Sequence, residues 1–127
     1  MNEDKIRDVL ERIGVALSTS NLQALSNCWE VPALVLSDEG AIAVTEVSEI
    51  EKFFAQATEW YHSQGIRSTK AELERVEALS ESLAAVDVRW PSFDASGAEK
   101  YSEHSHYIIQ VGNDGQARIR VALTRTM

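Results

Sequence analysis

The order of hydrophobic periods along the chain constrains the fold more than any single motif. Up to Gly65, apart from one short hairpin, apolar residues recur every three or four positions, as on one face of a helix. Beyond Gly65 they alternate with polar residues, as in half-buried strands. Helices followed by strands, without β-α-β alternation, predict the α+β class. The 127 residues contain no repeat or linker-like stretch, so we expect one domain, residues 1–127.

The first half of the chain predicts three helices and a hairpin. An apolar stripe defines a first helix over Glu3–Leu17, and a short second helix is predicted over Leu22–Trp29. The segment ALVLSDEGAIAV has two apolar runs around a turn, which predicts a small hairpin. The third helix lies in TEVSEIEKFFAQATEWYHSQG and ends at Gly65. Its predicted apolar face consists of Ile50, Phe53, Phe54, Ala57, Trp60 and Tyr61.

The second half predicts long antiparallel strands. Three segments alternate clearly, SLAAVDVRW, KYSEHSHYIIQV and QARIRVALT, and the turns DASG and GNDG separate them. The segment STKAELERVEALS is a fourth predicted strand, although its composition favours helix. We expect one curved antiparallel sheet wrapped around the three helices, with its concave face forming the core.

Three stretches of the sequence carry a family resemblance. The segments WEVPALVLSDEGAIAV, SLAAVDVRWPSFDASGAE and HYIIQVGNDGQARIRVAL resemble, in order, the first hairpin, the central strand and the final hairpin of the nuclear transport factor 2-like superfamily. This cone-shaped, cystatin-like fold is shared by SnoaL-like polyketide cyclases and ketosteroid isomerases. The resemblance covers nearly the whole chain and implies a cone with a pocket at its open end, often in a homodimer.

The resemblance does not select a reaction, because members share a fold more than a chemistry. Several enzymes of the superfamily use an aspartate or histidine on the last strand. Here the predicted inward residues of that strand are Ile119, Val121 and Leu123, which are chemically inert. Three hypotheses stay open: a pocket that only binds a small molecule, an isomerase, cyclase or dehydratase, and a dimeric protein-interaction module.

Charge and composition argue against several partner classes. The formal net charge is −8, whereas a nucleic-acid binder usually carries a basic excess, so we expect no nucleic-acid partner. No apolar run approaches a membrane span and no apolar signal region follows Met1, so we expect a cytoplasmic protein without membrane contact. Cys28 is the single cysteine, which suits a reducing compartment. No phosphate loop or zinc-protease motif occurs, and we expect no cofactor and no metal.

The stretch EHSHY places His104 and His106 on one face of a predicted strand. On the inner face, with Asp87 or Glu103, they would form a metal or acid/base site. On the outer face, with Arg118 and Arg120, they would belong to a polar surface through which two subunits pair.

The two turns disagree about which face this is. A bulged type I turn at GNDG sets Tyr107 opposite Val121 on an apolar face, which directs the histidines outward. The same bulge in DASG pairs Val88 with His104 and directs the histidines inward. A further bulge near Pro91 would remove the conflict, and the sequence leaves both registers open.

Two sets of residues carry the functional predictions. Aromatic side chains with a polar tip suit the wall of an apolar pocket. The predicted pocket residues are Trp29, Trp60, Trp90 and Tyr107. The candidates for acid/base catalysis are His62, Asp87, His104, His106 and Tyr107. We expect a small apolar or amphipathic ligand and a homodimer formed through the outer sheet face.

Overall fold

Helices and strands follow one another in the predicted order. The computed structural model describes residues 2–126. Within them the helices are α1 (Glu3–Thr19), α2 (Leu22–Ser26) and α3 (Val47–Ser63). The strands are β1 (Trp29–Ser37), β2 (Gly40–Val44), β3 (Ile66–Thr69), β4 (Glu72–Ala78), β5 (Leu83–Asp94), β6 (Glu99–Val111) and β7 (Ala117–Thr126). Over this part of the chain, no helix has both the length and the apolar character needed to cross a membrane.

The strands form one curved, unclosed seven-stranded sheet around the helices, which confirms the predicted α+β class. The strand order is β2-β1-β7-β6-β5-β3, and β4 pairs with the first part of β5. Neighbours are antiparallel except β1 and β7, which are parallel. The sheet was expected to be antiparallel throughout, and this parallel pair was not predicted, because it joins segments on either side of α3 and the long hairpins.

The helix α1 supplies the centre of the core. It begins after Asn2, whose side-chain oxygen accepts a hydrogen bond from the Asp4 backbone N–H at 2.8 Å. The predicted apolar stripe is fully buried at Ile6 and Val9, and Leu10 is 1% exposed. Burial of each such aliphatic side chain is worth about 1.5–3 kcal/mol, so the stripe fixes α1 inside the sheet.

The second helix is shorter than predicted. It ends at Ser26, and Trp29 is the first residue of β1 instead of the last of a helix. The cause is a long-range hydrogen bond, because the Ile119 N–H donates to the Cys28 carbonyl at 2.8 Å. This contact draws the chain into the sheet, with Trp29 beside Ile119, and a local period cannot reveal it.

The predicted apolar face of α3 is only partly in the core. Ile50 is 3% exposed, whereas Phe53 and Trp60 are 60% and 45% exposed. The helix begins after Glu46, which forms a reciprocal capping box with Glu49. All six residues of the predicted apolar face line one cavity, and the exposed ones lie at its open end rather than on packed side chains.

The final hairpin has the predicted register next to its turn and a different one farther away. Arg120 is an extra residue in β7, and beyond this bulge Tyr107 lies opposite Ala122. Val121 and Leu123 therefore lie on the outer face, and their predicted inward orientation was wrong. Because side chains alternate strictly along a strand, one unpredicted bulge reverses the face of every residue that follows.

A second bulge resolves the conflict between the two turns. Lys100 is an extra residue of β6 opposite the end of β5. Val88 consequently lies opposite Ser105, and His104 and His106 face outward. The expected bulge is present, although it lies in β6 and not at the proline of β5.

Candidate ligand-binding site

A cavity of about 420 Å³ lies between α3 and the concave face of the sheet. Its volume is within the range of about 300–1,000 Å³ that is usual for small-molecule pockets. Most of its wall is aliphatic or aromatic, with Ile13 from α1, Phe54 and Ala57 from α3, and Ile119 and Ala122 from β7. At its mouth Ile42 and Phe53 are 62% and 60% exposed. The cone therefore holds an apolar space with an apolar entrance.

The four predicted pocket aromatics all line this cavity. Trp29 packs edge-on against Phe54, with ring centroids 6.1 Å apart. The indole nitrogen of Trp90 donates to the Tyr107 hydroxyl at 3.0 Å. Trp60 lies nearer the mouth and is half-exposed. The structure thus brings these residues together, and contact with a ligand stays a prediction.

One carboxyl group interrupts the apolar wall. Glu103 of β6 is half-buried in the cavity, and the Tyr61 hydroxyl donates to its Oε1 at 3.2 Å. Burial raises the pKa of Glu103, and hydrogen bonds from Tyr61 and Tyr101 oppose that shift. Burial, together with the neighbouring carboxylate, raises the pKa of Tyr61 above its usual value. The cavity therefore contains an acid whose proton affinity is increased, with the Tyr61 phenol beside it.

A second polar cluster lies deeper in the cone. Tyr107 is 9% exposed, and burial raises its pKa to about 12. Its hydroxyl is hydrogen-bonded to Trp90 and Ser105, both of which also line the cavity. At neutral pH this phenol is uncharged and already partnered, so it orients its neighbours more readily than it transfers a proton.

From the sequence, Glu103 was considered only as a partner of the two histidines and Tyr61 only as an apolar-face residue, and neither was predicted as a reactive group of the cavity. The sequence did indicate an inward position for Glu103, because residues four positions apart on a strand share a face and Tyr107 was predicted to point inward. Every register that turns Tyr107 inward also turns Glu103 inward. The acid/base candidates from the same stretch included His104 and His106, which lie on the opposite face of the strand.

The other catalytic candidates lie outside this cavity. On the outer sheet face His106 Nδ1 is 2.5 Å from Asp87 Oδ1, and His104 Nε2 is 3.3 Å from Glu74 Oε1. His62 is exposed at the end of α3, 3.4 Å from the Ser20 hydroxyl, beside a recess of about 10 Å³. Among the described residues, no group of three or more His, Cys, Asp and Glu side chains is placed to hold a metal.

A third concavity is an open groove. It has about 480 Å³ between α1 and the β3–β4 segment, and charged residues such as Arg7, Glu11 and Lys70 line it. It is therefore a solvated surface feature, whereas the cavity under α3 has the apolar wall expected of a ligand site.

The curved sheet, the enclosed helices and the aromatic cavity define a small cone-shaped α+β protein with an internal pocket. The chain belongs to the NTF2-like proteins, because the family model described as "NTF2-like protein (DUF6841)" matches residues 2–127. The resemblance found in the sequence is thereby confirmed. None of the curated proteins matches the chain.

Solved structures share this fold. A cystatin-like domain of unknown function from Nostoc punctiforme is 19% identical, with a TM-score of 0.78, and the match covers 98% of this chain and 76% of that one. An NTF-2 like protein of unknown function from Shewanella oneidensis is 15% identical, with a TM-score of 0.73 and 98% of each chain covered. A ketosteroid isomerase-like protein from Erwinia carotovora is 11% identical, with a TM-score of 0.71, covering 100% of this chain and 98% of that one. At these identities the similarity shows the fold alone.

Proposed function

We propose that the protein is a cytoplasmic homodimer whose cone holds a small, largely apolar molecule. The observation that supports this function is the cavity of about 420 Å³ with its aromatic wall. Protein interiors are close-packed, and voids larger than a water molecule are few. A space of this size, with a few polar groups at one side, is the usual form of a small-molecule site.

Filling the cavity tests this function. Ala122 is 5% exposed and lines the cavity, so Ala122→Phe would occupy ligand space. Ala55→Phe is the matched control, because Ala55 lies on the exposed side of α3. Thermal denaturation is followed with a panel of apolar compounds, since a ligand at one hundred times its Kd stabilises the native state by about 2.7 kcal/mol.

We expect some compounds to raise the Tm of the wild type and of Ala55→Phe, with the rise lost in Ala122→Phe. Equal stabilisation of all three proteins would mean that binding occurs outside the cone. If no compound in the panel stabilises the wild type, the proposed function is wrong.

A second candidate function is acid/base catalysis at Glu103. A carboxyl whose pKa is raised toward the working pH is a better general base or acid, and Glu103 has such a shift inside an apolar cavity. We expect the protein to speed exchange of the α-protons of an indanone into deuterated water, measured by proton NMR. Glu103→Gln should remove the acceleration, and equal exchange rates with and without the protein would argue against this chemistry.

Pairing of two subunits through the outer sheet face is supported by an apolar band. On the outer face Leu34 lies beside Val121, which lies opposite Ile108 in the next strand. All three are half-buried in the single chain, and a second copy of the same face would cover them. We expect light scattering to give twice the monomer mass for the wild type and the monomer mass for Ile108→Glu. Leu79→Glu, at an exposed apolar residue outside the band, is the matched control and should stay dimeric.

A further inference from the structure

We infer that the cone selects an amine, an apolar molecule whose ammonium group lies between the Glu103 carboxylate and the rings of Trp60, Tyr61 and Tyr101. The inference rests on the proposed function and names the class of ligand. Three features of the described residues carry it: a carboxylate without a cationic partner, a set of rings around that carboxylate, and an apolar space beyond both.

Among the side chains that the structure describes, none supplies a counter-charge to the carboxylate of Glu103. No described residue in the cavity wall is a lysine, arginine or histidine. None of the ion pairs between described side chains includes Glu103, whose partners are two neutral phenols. Carboxylates withdrawn from water are normally paired with a cation, because the loss of hydration is otherwise uncompensated. An ammonium group supplies the missing charge.

The other acid of the wall is already engaged. The Oε1 atom of Glu49 accepts hydrogen bonds from the backbone N–H groups of Glu46 and Thr45, at 3.2 and 3.4 Å, as part of the cap of α3. Glu103 caps no helix and faces the cavity from the middle of a strand. The charge available to a ligand is therefore that of Glu103.

Three aromatic rings cluster at the carboxylate. The centroid of the Trp60 ring is 5.5 Å from that of Tyr61 and 5.6 Å from that of Tyr101, with edge-on geometry in both pairs. Both tyrosines are hydrogen-bonded to Glu103, so the aromatic rings lie next to the charged carboxylate. Aromatic faces attract cations by about 0.5–2 kcal/mol, and such cages recognise alkylated ammonium groups.

The remainder of the ligand would fill the apolar part of the cone. Trp29, Phe54 and Ile119 line that part, where a hydrocarbon or ring system is removed from water. A neutral alcohol of the same shape would gain this burial but not the charge. An anion of the same shape would meet the Glu103 carboxylate and be repelled.

The preference for an amine depends on pH. Among the described side chains, the groups facing Glu103 are Tyr61 from α3, Tyr101 and Tyr107 from β6 and, opposite on β5, Trp90. None of these groups carries a positive charge. An ammonium binds the ionised carboxylate, so the preference is complete where the pH lies above the raised pKa of Glu103 and below the pKa of the amine. It is lost as the pH falls through the pKa of Glu103.

The test compares naphthylethylamine, naphthylethanol and naphthylacetate, which share one ring system, by isothermal titration to the wild-type protein at neutral pH. We expect the amine to bind at least about tenfold more tightly than the alcohol, since a charged hydrogen bond and ring contacts together exceed 1.4 kcal/mol. The acetate should bind most weakly. In Glu103→Gln the amine and the alcohol should bind within about threefold of each other, because the amide keeps a hydrogen-bond acceptor but no charge.

Glu59→Gln is the matched control, because it removes an exposed acid from the same helix as Tyr61 without changing the cavity. It should keep the preference for the amine. If the alcohol binds the wild type as tightly as the amine, the inference is wrong and the proposed function stands. A preference for the amine that is undiminished in Glu103→Gln also overturns it. If none of the three compounds binds, the proposed function fails as well.

Discussion

The hydrogen bond between Trp90 and Tyr107 allows a quantitative test of how the cone is built. Trp90 is 6% exposed and Tyr107 is 9% exposed, and the indole N–H donates to the hydroxyl at 3.0 Å. Tyr107→Phe keeps the ring and removes the acceptor. A buried donor left without its partner costs about 1–3 kcal/mol. The Ser105 hydroxyl also loses its partner on Tyr107, which adds to the cost.

The adjoining cavity reduces the upper end of the expected loss of stability. Trp90, Ser105 and Tyr107 all line a space that is large enough for water, which can satisfy part of the freed hydrogen-bonding capacity. We therefore expect Tyr107→Phe to lower the free energy of unfolding by about 1–2 kcal/mol. The measurement is urea denaturation at neutral pH, followed by circular dichroism.

A double-mutant cycle separates this hydrogen bond from packing. Trp90→Phe is made alone and together with Tyr107→Phe, and the pair should show a coupling energy of about 0.5–1.5 kcal/mol. The reasoning is refuted if Tyr107→Phe leaves the free energy of unfolding unchanged. It is also refuted if the two substitutions are strictly additive, because the indole and the phenol would then not stabilise each other.

Three further predictions concern stability and titration. Ile119→Ala, at a residue 1% exposed, should lower the free energy of unfolding by about 2–5 kcal/mol, whereas Val15→Ala, at a residue 58% exposed, should change it by less than about 0.5 kcal/mol in the same urea experiment. The hydrogen bond from Arg118 lowers the pKa of Asp114 to about 2 in the folded protein. The ionised Asp114 therefore contributes to stability above the pKa it has in the unfolded chain, and this contribution is lost as the pH falls through about 2. In carbon-detected NMR titrations, Arg118→Gln should move the Asp114 pKa toward the ordinary value near 4, and an unmoved pKa would exclude the pair as its cause. Burial raises the pKa of the Cys28 thiol, so a thiol reagent should modify Cys28 only after unfolding, and rapid reaction of the native protein at neutral pH would contradict its burial.

Much of the fold was predictable because it follows from local periods. The apolar stripe of α1 and the alternation in β5, β6 and β7 arise because some residues of each element face an apolar interior. This produces a hydrophobic period within each segment, which can be read from the sequence. The register near the GNDG turn was predictable for a similar reason. Gly115 has a φ of 79°, which a residue with a side chain adopts only with strain. The position of this glycine thus fixed the turn and the first pairs of the hairpin.

The errors concern features determined by distant parts of the chain. Trp29 belongs to a strand because it pairs with Ile119 of β7, and no neighbouring residue in the sequence indicates that pairing. The bulge at Arg120 reversed the faces of Val121 and Leu123 without any turn residue to mark it. Bulges respond to the twist and curvature of the whole sheet, so alternation within one strand does not locate them.

The candidate site was half predictable. Its aromatic wall was predicted from large aromatic side chains that carry a polar tip, and the four predicted residues line the cavity. Glu103 was not predicted as a cavity residue, because its environment depends on the strand register and on Tyr61, which lies 42 positions away along the chain. A candidate carboxyl of this kind can be recognised only when its neighbours in space are known.

The central claim is that the cone binds a small apolar molecule, and the tryptophans test it most directly. The chain has three tryptophans, and Trp29, Trp60 and Trp90 all line the cavity, so each indole N–H resonance reports on it. In a titration with naphthylethylamine followed by proton–nitrogen correlation NMR, we predict saturable shifts of all three indole signals with one common Kd. Unchanged indole signals, while signals from the outer sheet face shift, would contradict the account.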